Sequence, residues 1–294
     1  MRILYGTPDT SIDVTDICLT KLIIDNVIII PYGDMNRAKY FTDPLVGVHK
    51  NMIITINDIT SIYDEYTLIK INILDKTIYT ESNTDIVNRL NSIHSKLKIK
   101  YGHMNDELPE QKMVARYLTG SEKVLEIGGN IGRNSLVIAS IVENSNFVVL
   151  ECDIGIASQL LENRDLNNFK FYIESAALSN RKLIQKAWDT IPSDTLLNGY
   201  KWVNTITLEQ LRNKYSIEFD TLVLDCEGAF YYILMDMPNI LDNIRLIIME
   251  NDYHDITHKK YVDDILTKNN FRRNYVEQGG WGPCYHNFFE VWKR

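Results

Sequence analysis

No stretch of this sequence supplies the roughly 20 consecutive apolar residues that a membrane helix needs. The longest apolar runs, 22–30 and 244–249, are too short and are broken by Asp25-Asn26 and Arg245, so they read as buried strands. Residues 1–6 hold no apolar core followed by a small-residue cleavage site, so no signal peptide is expected. Cytoplasmic residence is the default, in the host cytoplasm for a viral source. Cysteine is scarce too: Cys18, Cys152, Cys226 and Cys284 lie far apart and form no C-x-x-C. That spacing excludes a disulfide framework and a zinc site, and leaves small apolar side chains in a reducing compartment. Basic charge is the scarcer sign, with 31 Lys and Arg against 39 Asp and Glu and a net charge of −8. A general nucleic-acid binder would need a basic footprint, so no nucleic acid and no membrane are expected as partners. A few arginines could still reverse the sign inside one cleft. Glycine and alanine are few and Ile, Asn, Asp, Lys and Tyr abundant, a bias of AT-rich genomes such as those of large DNA viruses, with little bearing on chemistry.

What is present falls into two patterns. Residues 1–80 alternate short β-branched runs (12–15, 21–30, 52–56, 67–74, 77–80) with turn formers at Pro8, Pro31-Tyr32-Gly33-Asp34, Asp43-Pro44 and Asp75-Lys76. Strands without intervening helices predict a small all-β accessory domain, an antiparallel sandwich. A helical linker over 81–100 follows, with Ile86, Leu90, Ile93 and Leu97 on one face. A helix over 107–118 carries Pro109 in its first turn, where the missing N–H costs nothing. From 123 the chain alternates strand and helix: strands at 123–127, 147–151, 169–173, 220–224 and 244–250, and helices at 131–142, 156–166 and 257–268. A longer irregular stretch precedes 220, and 272–277 and 286–292 close the chain as strands. Such alternation predicts an α/β domain over 101–294, a mostly parallel sheet with helices on both faces.

The decisive segment is Val124-Leu125-Glu126-Ile127-Gly128-Gly129-Asn130-Ile131-Gly132. A buried strand ends in a glycine-rich turn that opens into a helix, so backbone can approach a ligand and the helix start offers free N–H groups. Glu151 ends the next strand, roughly 20 residues on, where a carboxylate can accept both ribose hydroxyls of an adenosine. A dinucleotide fingerprint is G-x-G-x-x-G. Here Asn130 and Arg133 stand where its second and third glycines belong, and Glu126 precedes the turn. An acid there conflicts with a pyrophosphate but suits the cationic amino group of a methionine. The pattern E-x-G-x-N-x-G favours S-adenosylmethionine over a nicotinamide cofactor. A tight βα turn without a ligand would leave the two strand-ending carboxylates unexplained.

This segment resembles the FkbM-type methyltransferases, whose first motif is a strand ending in Asp or Glu and then G-A-N-x-G. Glu151-Cys152-Asp153 with Leu160 to Asn163 is similar to the family's second signature, Cys152 replacing the usual proline. Thr207-Leu208-Glu209, then Leu224-Asp225-Cys226-Glu227-Gly228, is similar to its threonine-leucine-acid run and D-x-E-G. The next strand ends in an acid, Glu250, as the family's does. Over about residues 101–293 the resemblance implies a Rossmann-like class I methyltransferase sheet with an antiparallel last strand. It also implies S-adenosylmethionine as cofactor and methyl transfer, mostly to hydroxyls of sugars and other natural products. Cofactor contacts are then expected from Glu126, Gly128, Gly129, Asn130, Gly132 and Ser135 on the first turn. Glu151 and Cys152, Ala176 and Asp225 would supply the rest, after the second, third and fourth strands.

Methyl transfer needs the acceptor oxygen held in line with the methyl and usually relieved of its proton. Candidates at the carboxyl ends of strands are Asp225, Glu227, Glu250 and His254. In one route His254 or Asp225 is the general base. In the other, Asp225, Glu250 and Asn251 or Asp252 hold a magnesium ion that acidifies the hydroxyl, similar to the arrangement in catechol-type O-methyltransferases. The metal-free route is preferred here, because the family resemblance does not require an ion. Glu227 suits a helix cap equally well, and His254 and His258 a solvated helix end. Tyr231, Tyr232, Tyr253, Trp281 and Tyr285 could face a sugar ring or simply pack. Gly279-Gly280-Trp281-Gly282-Pro283 reads as a loop over the cleft. Arg133, Arg245, Lys259, Arg272 and Arg273 could meet the diphosphate of a nucleotide sugar, or lie on solvated surface. The amino-terminal run Asp34 to Phe41 with Asp43-Pro44 and Gly47 to Lys50 resembles a small β module at the carboxyl end of some J-domain co-chaperones. That likeness implies no activity, and homodimerisation through this domain, substrate presentation and glycan binding all remain open. The expected acceptor is a sugar, a glycoconjugate or another small hydroxylated metabolite; a non-catalytic binding protein is the rival reading.

Overall fold

The computed structural model describes residues Met1–Arg294 and divides them into two compact units, Met1–Asn88 and Arg89–Arg294. The first contains β1 (Arg2–Gly6), β2 (Ser11–Asp13), α1 (Thr15–Lys21), β3 (Ile23–Ile24) and β4 (Val27–Ile30). Then come α2 (Asp34–Phe41), β5 (Asn51–Ile56), β6 (Ile59–Tyr63), β7 (Thr67–Asn72), β8 (Ile78–Ser82) and the start of α3 (Asn83–His94). Its strands form two antiparallel sheets, β2-β1-β5-β6 and β3-β4-β7-β8. Ile3, Tyr5 and Ile54 of one sheet and Ile28, Ile30, Ile69 and Ile71 of the other share one core.

The strand-only expectation for this unit is corrected by α1 and α2. Both are short and lack side-chain caps, and packing of Cys18 and Phe41 into the core holds them rather than propensity. The run 21–30 is not one strand, because Asp25 and Asn26 at φ 47° and 65° make a hairpin turn between β3 and β4. The segment from Asp34 to Lys50 is knotted by two fully buried cations. Arg37 donates to the carbonyls of Pro31, Asp64 and Thr67, and Lys50 pairs with Asp34 and Asp43 at 2.8 and 2.9 Å. These charges tie loops together, as buried charges must when no water reaches them.

The second unit begins with α4 (Leu108–Tyr117), β9 (Val124–Ile127), α5 (Arg133–Ala139), β10 (Phe147–Leu150), α6 (Ile154–Leu166) and β11 (Tyr172–Glu174). Five short strands follow: β12 (Ala177–Leu178), β13 (Leu183–Lys186), β14 (Asp189–Pro192), β15 (Lys201–Val203) and β16 (Thr205–Ile206). The chain ends with α7 (Leu208–Tyr215), β17 (Thr221–Leu224), α8 (Phe230–Asp236), β18 (Leu246–Glu250), α9 (Ile256–Lys268), β19 (Arg272–Glu277) and β20 (Phe289–Lys293). Seven strands form one sheet in the order β11-β10-β9-β17-β18-β20-β19, and only β20 runs antiparallel to its neighbours. This is the class I methyltransferase sheet. Every residue of β9, β10 and β17 is buried, as in a parallel sheet covered on both faces, and only Glu126 of β9 and Thr221 of β17 interrupt their apolar character.

The stretch that reads as irregular before β17 is structured. β12 pairs with β16, and β14-β13-β15 form a small antiparallel sheet. Strands of two to four residues are too short to show a period in sequence. Thr207 caps α7 in a capping box with Gln210, and Leu208 behind it is buried, which accounts for the first two residues of the threonine-leucine-acid run. Asn163, fully buried on α6, donates to Ile131 O at 2.8 Å and accepts from Lys100 N at 2.8 Å, so it braces the turn after β9. No helix is long and apolar enough to cross a membrane.

Candidate functional site

The parallel strands β9, β10, β17 and β18 all end on one side of the sheet, and there a cavity of about 340 Å³ opens. Gly128 makes the first wall. Its φ is 92°, and a Cβ added there would lie 1.6 Å from the Asp225 carbonyl oxygen, so the turns after β9 and β17 touch through backbone alone. Beyond it Asn130, at φ 47°, donates its backbone N–H to Glu151 Oε2 at 2.9 Å, and the Asp153 N–H donates to Glu151 Oε1 at 2.8 Å. Each Glu151 oxygen thus keeps acceptor capacity while its direction is set by main chain. Burial pushes this carboxyl above the usual carboxylate range. Cys152, Ala176, Asp225, Glu227 and Glu250 complete the expected residues that reach the cavity.

Four expected cofactor residues stand behind the wall instead. Alternation along β9 turns Glu126 under the start of α5, where Ser135 Oγ donates to its Oε2 at 2.5 Å. Burial pushes the Glu126 carboxyl up to about 8, with the Ser135 hydrogen bond opposing. Gly129 packs against Val149, and Gly132, at φ 95°, against Leu160. These residues shape the turn; they do not face the cavity.

The far wall is acidic. Asp225, Glu250 and Asp252 bring carboxylate oxygens within 4.8 Å of one another, and the side chains of Glu250 and Glu110 share a hydrogen bond. Glu107, the residue before α4, and Glu110, in its first turn, line the cavity with them. Neither is among the candidates from the sequence, where acids beside a helix start are commonplace; only the tertiary fold aims them at β17 and β18. Burial, then the charges of Glu107 and Glu110, hold the Asp225 carboxyl well above its ordinary range. Burial, the Glu110 hydrogen bond and the Asp225 charge push Glu250 up to about 11. Burial and the Glu227 charge push Asp252 up to about 7. Asp252 Oδ1 accepts from the Gly228 N–H at 2.7 Å, while its buried Oδ2 has no partner, and neither has Glu110 Oε2. Crowded, desolvated carboxylates with unmet lone pairs require a cation or protons. Hard oxygen donors so placed on Asp225, Glu250 and Asp252 fit a divalent ion such as magnesium. Asn251, the alternative to Asp252 in that set, donates its side-chain N–H to the carbonyl of Asn287 at 2.7 Å, and its buried Oδ1 has no partner.

Several other candidates lie elsewhere. His254 is exposed, with its ring 4.4 Å from that of Trp281, and lines no part of the cavity. Tyr231 stacks on His258 at 3.8 Å outside the cavity, whereas Tyr232 reaches it; Trp281 and Tyr285 do not. The expectation that arginines or lysines here meet a diphosphate is corrected. Arg133 pairs with Glu107 at 2.5 Å, and Lys259 is buried against Glu290 and Asp263. Arg245 sits at the opposite end of the sheet beside Asp220, and Arg272 and Arg273 open β19. The one cation on the cavity wall, Arg181, is held by Asp236 in a two-point pair at 2.5 Å.

No protein-family model matches the chain, and no curated protein matches it. Among solved structures it is similar to a ribosomal protein L11 methylase from Lactobacillus delbrueckii subsp. bulgaricus, at 12% identity and TM-score 0.42, over 67% of this chain and 81% of that one. It is also similar to an O-methyltransferase from Bacillus cereus in complex with SAH, at 14% identity and TM-score 0.41, over 71% of this chain and 91% of that one.

Proposed function

We propose that the chain is an S-adenosylmethionine-dependent methyltransferase that methylates a hydroxyl of an uncharged acceptor, a sugar or glycoconjugate being the first choice. The observation that carries this reading is the pairing of Glu151, aimed by two backbone N–H groups, with an acidic wall across the Gly128 turn. S-adenosylmethionine, when bound, supplies a methyl group on a positively charged sulfur. Glu151 suits its ribose hydroxyls, and Glu107 and Asp225 suit its cationic amino group and sulfonium, the part first assigned to Glu126. The resemblance to the FkbM-type family supports the same cofactor and a hydroxyl acceptor.

Asp225 and Glu250, at the ends of adjacent strands, are the proton acceptors nearest the methyl end. As the acceptor oxygen bonds to the methyl, the carbon–sulfur bond breaks and the hydroxyl proton passes to a carboxylate. A carboxyl pushed that high is protonated in the empty cavity, so it can accept the proton only once the positive charge of the bound cofactor favours its ionised form. His254, being outside the cavity, has no part in this. The partnerless Asp252 Oδ2 favours a second route, in which a divalent ion on Asp225, Glu250 and Asp252 lowers the pKa of the hydroxyl. An acidic wall repels a diphosphate, so nucleotide sugars are poorer acceptors than neutral glycosides. Tyr232 offers an aromatic face to such a ring.

The test is calorimetric titration with S-adenosylhomocysteine and with NAD, followed by a methyl-release assay over neutral sugars, glycosides and nucleotide sugars. Binding of S-adenosylhomocysteine near the micromolar range, about −8 kcal/mol, is expected. Tight NAD binding without any response to S-adenosylhomocysteine would sink the reading.

A further inference from the structure

Past Glu151 the cavity continues to an end made by the small sheet inserted between β12 and β16. Leu183 and Gln185 share one face of β13, and their cross-strand partners on β14, Pro192 and Thr190, line the same end. Gln185 is the one amide in this wall. Its residue is 4% exposed, its Oε1 has no hydrogen-bond partner, and its Nε2 only approaches Cys152 Sγ at 3.5 Å. A buried amide oxygen left unmet in apolar surroundings marks a place where a ligand completes the bonding. Leu178 and Trp188 add flat apolar surface. The ligand part that fits is a flat heteroaromatic ring with a donor and an acceptor side by side on its edge. Gln pairs with adenine in this two-point way wherever its amide meets that edge.

We propose that Gln185 reads the nucleobase of the cofactor, its Oε1 accepting from the exocyclic amino group of adenine and its Nε2 donating to the adjacent ring nitrogen. The β13–β14 hairpin is then the element that selects adenine, while Glu151 holds the sugar next to it. This rests on the reading of the cavity as an S-adenosylmethionine site.

The experiment titrates the full-length protein with S-adenosylhomocysteine and with the analogue whose purine lacks the 6-amino group. The wild-type protein is expected to bind the analogue about tenfold more weakly. Gln185→Leu should weaken S-adenosylhomocysteine by about tenfold and bind both ligands within about threefold of each other. Gln185→Met repeats the measurement with an unbranched side chain, and thermal melts identify which variants are folded. Loss of the preference in either folded variant supports the assignment. An unchanged preference in the variants, or no preference in the wild type, overturns it while leaving the cofactor reading intact. Failure of the wild type to bind S-adenosylhomocysteine at all would remove the cofactor reading, and the assignment with it.

Discussion

Gly128 and Asp225 meet without side chains: the carbonyl of Asp225 occupies the space where any Cβ at position 128 would have to go. This contact joins the ends of β9 and β17 directly beneath the cavity, so the glycine is required by proximity as well as by its φ of 92°. Gly128→Ala should therefore pry the two turns apart. Overpacking of this kind costs about 1–3 kcal/mol. The variant is expected to melt earlier and to lose S-adenosylhomocysteine binding more than Gly155→Ala does, since Gly155 has only an Asp153 side-chain oxygen near its Cβ position, at 3.2 Å. Equal melting and binding in the two variants would contradict the close approach.

Glu151 and Asp225 should separate binding from turnover. Glu151→Ala removes the acceptor aimed by Asn130 and Asp153 and is expected to weaken S-adenosylhomocysteine by about 1.5–3 kcal/mol, the worth of hydrogen bonds to a charged group. Asp225→Asn keeps the shape of the wall and should reduce kcat far more than it changes that affinity. His254→Ala should leave both near wild type, because the ring faces Trp281 outside the cavity.

The acidic wall has a pH signature in the ligand-free protein. Asp252 is raised from 3.8 to about 7. Between those values the folded state binds more protons than the unfolded one, so stability falls as pH rises through that window. Melting temperature should drop between about pH 4 and pH 7 on account of this group, and Asp252→Asn should flatten the slope. A slope identical in wild type and variant would show that the carboxyl titrates normally.

The two proton routes differ in their response to chelation. If Asp225, Glu250 and Asp252 hold a divalent ion, manganese should raise the melting temperature at pH 8 and Asp252→Asn should abolish that rise. If carboxylates alone take the proton, activity survives EDTA and manganese leaves the melt unchanged. Activity lost with EDTA and restored by magnesium would establish the ion route.

Much of this site was legible in the linear order of residues because its parts are local. A strand, a tight turn and a helix start are consecutive, so Gly128, Asn130 and Glu151 declare themselves by spacing. The same locality misplaced Glu126 and Ser135: they sit in the motif, but pleat alternation points Glu126 under α5, away from the cavity. His254 was misjudged for a similar reason, since nothing in sequence tells whether the chain turns inward or outward after Asp252.

The sequence by itself determined the alternation of elements in the second unit, and with it the sheet, because continuous apolar runs stay buried only between two layers of helices. It also determined the glycine turn and the carboxylates at the ends of β10, β17 and β18. The tertiary structure alone decided that Glu107 and Glu110, more than a hundred residues before Asp225 and Glu250, would face them across one cavity. It alone placed Gln185 at the other end, on a hairpin whose strands are too short to announce themselves. Such meetings depend on how α4 and the inserted sheet pack against the ends of the central strands. Packing of that kind is set by long-range shape and burial, which no local pattern of residues encodes.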